Sequence, residues 1–349
     1  MDLIDISNLG NWEAPKSWLK ISTIDAHTGG EPLRIITDGF PDLEGTTVLE
    51  KRSFVREHYD YLRTVLMWEP RGHSDMYGAI IVEPNSSDAD FGVIFMHNEG
   101  YSTGCGHAVI ALAKVFIETE LIPMEGPITP VVMDVPSGRV YAEVLSEKGK
   151  VTGAQFRNVP SFVQHLDNEV DVPKLGSVKI DIAFGGAFYA YVDTVQIGLD
   201  CSPENISNLI EAGMAIKRAV SQSVAVDHPT APEMNYLYGT IFVGKSASPD
   251  HHSRHVCIFA DGQVDRCPTG TGVSGRLAIL HARGEIQMGQ MITIDSILGT
   301  TFTGQIKEKV KVGECDGVIP EVGGNAHITG RQTFFIDPDD PLKDGFILR

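Results

Sequence analysis

The chain is short of cysteine, of positive charge and of long apolar runs, and each shortage excludes a class of protein. Its five cysteines, Cys105, Cys201, Cys257, Cys267 and Cys315, are odd in number, widely scattered and without a C-x-x-C pair. That spacing offers neither a disulfide framework nor a structural zinc site, so reduced thiols are expected. Lys and Arg number 28 against 46 Asp and Glu, for a net charge of −18. Such a surface repels phosphate backbones and anionic lipid, which argues against nucleic-acid or membrane partners but leaves room for a small anion held by backbone amides. No stretch reaches the unbroken apolar length of a membrane span, and Met1-Asp2-Leu3-Ile4-Asp5 is acidic where a signal peptide is basic and then apolar. A cytoplasmic protein is expected.

What is present is an ordinary globular composition. With 349 residues, 42% of them hydrophobic and 21% charged, the chain can bury a large core, and its length predicts two domains or one large α/β unit with a cleft. Residues 1–20 lack any period and read as an extension. From Ile21 onward, runs rich in Val, Ile and Phe alternate with turn signals and are read as strands at 33–37, 79–82, 92–96, 130–135, 140–144, 179–184, 189–192, 238–243, 255–259, 291–294, 300–306 and 327–335. Helices are expected over 108–118, apolar nearly all round as in a helix enclosed by sheet, over 272–283, ended by Gly284, and near 51–66 and 203–220. The Pro- and Asp-rich stretch 193–203 is the least periodic interior segment, so the boundary between an N-terminal half (21–195) and a C-terminal half (196–330) is placed there.

An internal resemblance organises these elements. Each of the two central helices follows a strand and a short loop ending in a small reactive or hydroxylic residue and glycine. The first loop is Asn98-Glu99-Gly100-Tyr101-Ser102-Thr103-Gly104-Cys105-Gly106-His107, and the second is Asp265-Arg266-Cys267-Pro268-Thr269-Gly270-Thr271-Gly272. Cys105 and Thr269 stand almost half a chain length apart, which predicts two similar halves facing each other. A cysteine at a helix start gains from unpaired N–H groups and the positive end of the dipole, which lower a thiol pKa from about 8.5. Cys105 is therefore a candidate base or nucleophile, against the plain alternative of a small buried residue. Gly106 and His107 from one loop, with Gly270 and Thr271 from the other, leave backbone N–H groups free to hold a carboxylate. The His107 ring can serve the substrate or satisfy a backbone carbonyl, and Asp265 can cap the second helix or pair with a substrate amine. His251, His252 and His255 lack the carboxylate or cysteine of a familiar ligand spacing and are read as a solvated loop, so no metal is assigned. The Asp25-Ala26-His27-Thr28-Gly29-Gly30-Glu31-Pro32 segment has neither the G-x-G-x-x-G order nor the Walker lysine of a nucleotide site.

Four ordered motifs make the chain resemble the proline racemase family. They are that Asp25 to Pro32 segment; Glu69-Pro70-Arg71-Gly72-His73-Ser74-Asp75-Met76-Tyr77-Gly78-Ala79; Asn98 to Ser102 with Cys105-Gly106-His107; and Asp265-Arg266 with Pro268 to Gly272. The resemblance implies an α+β, diaminopimelate epimerase-like fold. Two halves, each with a curled sheet or barrel around a central helix, would close over a substrate between the helix N-termini, with the final segment, 331–349, returning to the first half. Racemases and epimerases of the family carry a cysteine at both helix starts. Here the second position is Thr269, a hydroxyl that cannot replace a thiolate near neutrality, so inversion loses one of its two catalysts. The Cys/Thr pair is similar to that of the family's trans-3-hydroxy-L-proline dehydratases, and it implies removal of the α proton by Cys105 and loss of the 3-hydroxyl to give Δ1-pyrroline-2-carboxylate. On this reading Gly106, His107, Gly270 and Thr271 hold the carboxylate, Asp265 meets the ring ammonium, and Tyr77 and Phe259 wall the pocket. Thr269 hydrogen-bonds the departing hydroxyl or a water. No cofactor is implied, and a homodimer is. Position 267 is Cys where the family usually has Ser. A racemase or epimerase pairing Cys105 with Cys267, and a silent protein that only binds a proline analogue, are the alternatives.

Overall fold

The computed structural model describes residue 10 and residues 12–348; the rest of the N-terminal extension lies outside the described residues. The part that is described rests on the first half, where Trp12 packs edge-on against Trp18 and Phe335. Strand β1 (Leu19–Thr28) turns into β2 (Glu31–Asp38) through Gly29 and Gly30, whose φ values of +59° and +100° give the left-handed pair that a two-residue hairpin demands. Helices α1 (Val48–His58) and α2 (Asp60–Met67) lead to β3 (Tyr77–Val82), which runs parallel to β2. Next come β4 (Phe91–His97), the short β5 (Gly100–Ser102), the central helix α3 (Gly106–Glu118), β6 (Ile128–Val135), β7 (Gly138–Glu147) and β8 (Lys150–Arg157). Helix α1 is started by a capping box in which Thr47 and Glu50 satisfy each other's backbone N–H groups.

The second half repeats the plan. It contains β9 (Ser161–Val172), β10 (Gly176–Phe184), β11 (Phe188–Asp193), α4 (Ile206–Ser223), β12 (Leu237–Gly244), β13 (Ser253–Phe259), β14 (Gln263–Val264), the central helix α5 (Gly270–Ala282), β15 (Ile292–Asp295), β16 (Thr301–Val312) and β17 (Cys315–Gly324). From β1 to β8, leaving out β5, successive pairings are antiparallel, parallel, antiparallel, parallel, antiparallel and antiparallel. From β10 to β17, leaving out β14, the series is the same. The second ring closes where β9 pairs with both β10 and β17. In the first ring β18 (Ala326–Ile336) returns to pair with β1, and β17 hands over to it after pairing with β8.

The period-2 alternation of the strands sorts side chains between two surroundings. Leu33, Ile35, Ala79 and Phe95 face α3, whereas Ile36, Ile80 and Ile94 face α1 and α2. Likewise Ala183, Tyr191 and Ile241 pack with α5, and Ile182, Ala190 and Phe242 with α4. Helices α3 and α5 are enclosed by their rings, which explains why their sequences are apolar on nearly every side. Residues 193–203, where composition put the domain boundary, join β11 to α4 inside the second ring. The chain crosses between rings at 158–160, because β9, β10 and β11 bond to one another and to β12. Three residues suffice for the crossing because β17 bridges β8 and β9, so the two rings share an edge and no linker is needed.

Candidate active site

The two central helices meet at their N-termini. Val109 N–H is the first in α3 to find a helical acceptor, Cys105 O at 3.0 Å, and Val273 N–H is the first in α5, bonding Thr269 O at 2.7 Å. The N–H groups of Gly106, His107, Gly270 and Thr271 therefore have no partner within their own helices. Neither helix start has a side-chain cap. A Cβ on Gly106 would stand 2.8 Å from Gly270 Cα, so only glycine lets the two positive helix ends approach this closely. The result is a concave cradle of amides suited to a carboxylate.

Around that cradle lies a small cavity of about 30 Å³. Every residue singled out from sequence lines it: Tyr77, Cys105, Gly106 and His107 from the first ring, with Phe259, Asp265, Thr269, Gly270 and Thr271 from the second. Cys105 Sγ lies 3.2 Å from His107 Nδ1, and the His107 ring also hydrogen-bonds the Pro32 carbonyl, one of the two roles the sequence left open. The Tyr77 ring meets His107 edge-on, at 4.9 Å between centroids, and its hydroxyl bonds Ser102. Phe259 stacks on Tyr238 with centroids 5.4 Å apart. Asp265 ties the second loop together: Oδ1 accepts from Cys267 N–H and Oδ2 from the Thr269 hydroxyl, each at 2.8 Å. Those bonds hold Thr269 at φ +66°, a left-handed backbone that a β-branched residue adopts only when its surroundings force it.

Electrostatics reverse one expectation. The Cys105 thiol is pushed well above its ordinary range, chiefly by burial and then by Asp265, while a hydrogen bond from Ala108 N–H acts the other way. The helix start does favour the thiolate, but desolvation outweighs it. Burial likewise lowers the His107 pKa, leaving a neutral ring.

Five lining residues have no role from the sequence: Glu31 and Gly104, which lie within the segments named there, and Tyr189, Tyr238 and Cys257, which lie outside them. Tyr189 is hydrogen-bonded through its hydroxyl to Thr271 Oγ1 at 2.8 Å. Cys257, on β13, is a second thiol on the Thr269 side and shares a hydrogen bond with its hydroxyl; burial and Asp265 hold its proton firmly. Cys267 is fully buried, accepts from Thr269 N–H at 3.3 Å, and is pushed up for the same two reasons. All five cysteines are unpaired. His107, Asp265 and Cys267 bring one potential metal-ligating atom each within 4.8 Å of one another, yet each of these groups already has a protein partner. The histidine-rich segment is not a solvated loop throughout, since His255 is fully buried in β13 and His251 Nδ1 lies 2.6 Å from Asp295.

Two rings of matching strand order, each wound about an apolar helix, with the cavity between the helix starts, define the α+β diaminopimelate epimerase-like fold. The sequence profile of the proline racemase family matches residues 23–347, and the chain belongs to that family. It is 50% identical over 334 residues to a trans-3-hydroxy-L-proline dehydratase of Colwellia psychrerythraea, covering 96% of this chain and 94% of the relative. To a proline racemase of Clostridioides difficile it is 42% identical over 329 residues, 94% of this chain and 98% of that one. Among solved structures, a hydroxyproline epimerase from Agrobacterium vitis with bound trans-4-hydroxy-L-proline superposes with a TM-score of 0.87 at 31% identity, covering 95% of this chain and 96% of that one. No helix among the described residues is long and apolar enough to cross a membrane.

Proposed function

We propose that the protein dehydrates trans-3-hydroxy-L-proline to Δ1-pyrroline-2-carboxylate. The observation that carries this reading is the asymmetry of the two helix starts: a sulfur, Cys105, stands at the N-cap position of α3, whereas a hydroxyl, Thr269, stands at that of α5, and the nearby thiols Cys257 and Cys267 stand on a strand and in a loop, at neither position. The substrate carboxylate lies on the free N–H groups of Gly106, His107, Gly270 and Thr271, which also stabilise the charge that spreads into it as the α proton leaves. The ring ammonium pairs with Asp265. That pairing offsets the Asp265 charge that, after burial, helps hold the proton on Cys105, so binding itself favours the thiolate. Cys105 then takes the α proton, the electron pair forms the C2=C3 bond, the C3–O bond breaks, and the enamine tautomerises to the imine. Tyr77 and Phe259 confine the ring.

Stereochemistry explains why one sulfur is enough. In trans-3-hydroxy-L-proline the α-hydrogen and the hydroxyl lie on the same face of the ring, both opposite the carboxylate. A racemase must reach both faces, whereas this elimination needs only one. The test is incubation with trans-3-hydroxy-L-proline, trans-4-hydroxy-L-proline and L-proline, followed by assays for pyrroline carboxylate and for inverted amino acid. Pyrroline product from the 3-hydroxy substrate alone is expected; inversion without loss of water refutes the reading. A cytoplasmic location and a homodimeric state go with the same reading, on the reduced thiols and the family resemblance, and light scattering of the purified chain tests the second.

A further inference from the structure

We infer that Glu31, carried by the same ring as Cys105 and lining the cavity with it, is the acid that protonates the departing ring hydroxyl. This inference rests on the dehydration reading above, because that chemistry requires a proton for the leaving oxygen. The same-face geometry of the substrate requires that proton to come from the Cys105 side.

Glu31 opens β2, on the hairpin that packs against the first turn of α3. Thr28 Oγ1 donates to His107 O at 2.7 Å, and the Pro32 carbonyl accepts from the His107 ring, so the Glu31 backbone is anchored on both sides to His107, two residues from Cys105, while its carboxyl group reaches across to the second loop. It lines the cavity and has no solvent exposure. Its Oε2 accepts the Arg266 N–H at 2.7 Å, while Oε1 has no hydrogen-bond partner among the described residues. The guanidinium that follows that N–H is committed elsewhere, 2.8 Å from Asp75 and donating to Val264 O at 2.8 Å, so Glu31 is not the anionic half of an ion pair with it. Burial and the neighbouring Asp265 carboxylate raise the Glu31 pKa well above the ordinary range, which favours the protonated acid. A buried carboxylic acid with one oxygen anchored and the other unpartnered in a reaction cavity is costly to fold around unless it is used. A staple between the two rings needs only the Oε2 contact, and the free oxygen is what a staple leaves unexplained.

The protons balance. Cys105 thiolate takes the α proton, the C3–O bond breaks with its electron pair on oxygen, and the Glu31 proton joins that oxygen so that water departs. The cycle ends with a Cys105 thiol and a Glu31 carboxylate, and transfer of one proton from the first to the second restores the starting state.

The test uses the full chain carrying Glu31→Gln, which keeps the size and the Arg266 contact but has no acidic proton. It is assayed with trans-3-hydroxy-L-proline and with trans-3-fluoro-L-proline, whose fluoride leaves without needing a proton. The expected result is a loss of dehydration of about 10²-fold or more, with fluoride release staying within about tenfold of wild type. Dehydration by Glu31→Gln within about threefold of wild type overturns the inference and returns the acid role to Cys105 or His107. Parallel loss of both reactions also overturns it, by making Glu31 a structural staple. A wild-type protein that converts neither substrate removes the dehydration reading and this inference together.

Discussion

The junction of the two helix starts gives a perturbation whose size follows from the coordinates. Gly106→Ala places a Cβ 2.8 Å from Gly270 Cα and 3.1 Å from Phe156 Cζ. Carbon atoms in comfortable contact stand roughly 3.5–4.0 Å apart, so the helix ends must separate by about 1 Å. Alanine in place of glycine at the helix start favours the fold by at most about 1 kcal/mol, whereas overpacking of this kind costs about 1–3 kcal/mol, so the net change is destabilising by up to about 2 kcal/mol. Activity falls further than stability. The same displacement moves the amide cradle relative to Cys105, and a misplacement of about 1 Å costs on the order of 10²-fold in rate. The measurements are calorimetric Tm and kcat/KM for dehydration. Gly330→Ala on β18 is the control, since its Cβ would meet nothing nearer than Gln332 Nε2 at 4.0 Å. Wild-type kcat/KM in Gly106→Ala would refute the claim that contact between the helix ends sets the geometry of the site.

Three further outcomes follow from the same structure. Thr269→Cys restores a sulfur to the second flank, and chiral chromatography should then detect D-proline formed from L-proline above the level given by the wild type; its absence would count against the two-flank reasoning. Because burial and Asp265 hold the proton on Cys105, the reactive thiolate grows with pH, so kcat/KM should climb about tenfold per pH unit on its acid limb, and a flat profile would contradict Cys105 as the base. His97, buried and close to the Arg63, Lys217 and Arg52 cations, is pushed down to about 3, so between that value and the ordinary histidine pKa only the unfolded chain takes up a proton. Stability is therefore lost as pH falls, by about 2 kcal/mol between pH 7 and pH 5 from this residue. Denaturant titrations should show that His97→Gln loses correspondingly less over the same interval.

Much of the site was legible because its chemistry is concentrated in two loops next to distinctive helices. The apolar, glycine-led segments of α3 and α5 marked both helix starts, and the repeat of loop and helix foretold their meeting at Gly106 and Gly270. Strands with clear alternation or dense β-branched runs, such as β4 and β12, were equally plain. β9, with polar residues at Gln164, His165, Asp167, Asn168 and Glu169, was not, because much of it is exposed and its pairing is decided by distant partners. The crossing at 158–160 escaped notice because a short bridge braced by β17 has no linker composition. Glu31, Tyr189, Tyr238 and Cys257 carry ordinary residue types on strands, and only ring closure turns them toward the cavity. The Cys105 pKa runs against its local sequence for a related reason: the helix start is local, whereas the burial and the Asp265 charge that outweigh it come from elsewhere in the chain.

The central claim is that a single sulfur, at Cys105, works on one face of the imino acid. It is tested most directly by comparing wild type with Cys105→Ser on trans-3-hydroxy-L-proline and analysing both the pyrroline product and the configuration of the recovered substrate. The account predicts product without any cis-3-hydroxy-D-proline from the wild type, and a folded Cys105→Ser protein that makes neither. Dehydration by Cys105→Ser at a rate comparable to wild type, or accumulation of the D-epimer by the wild type, would contradict it.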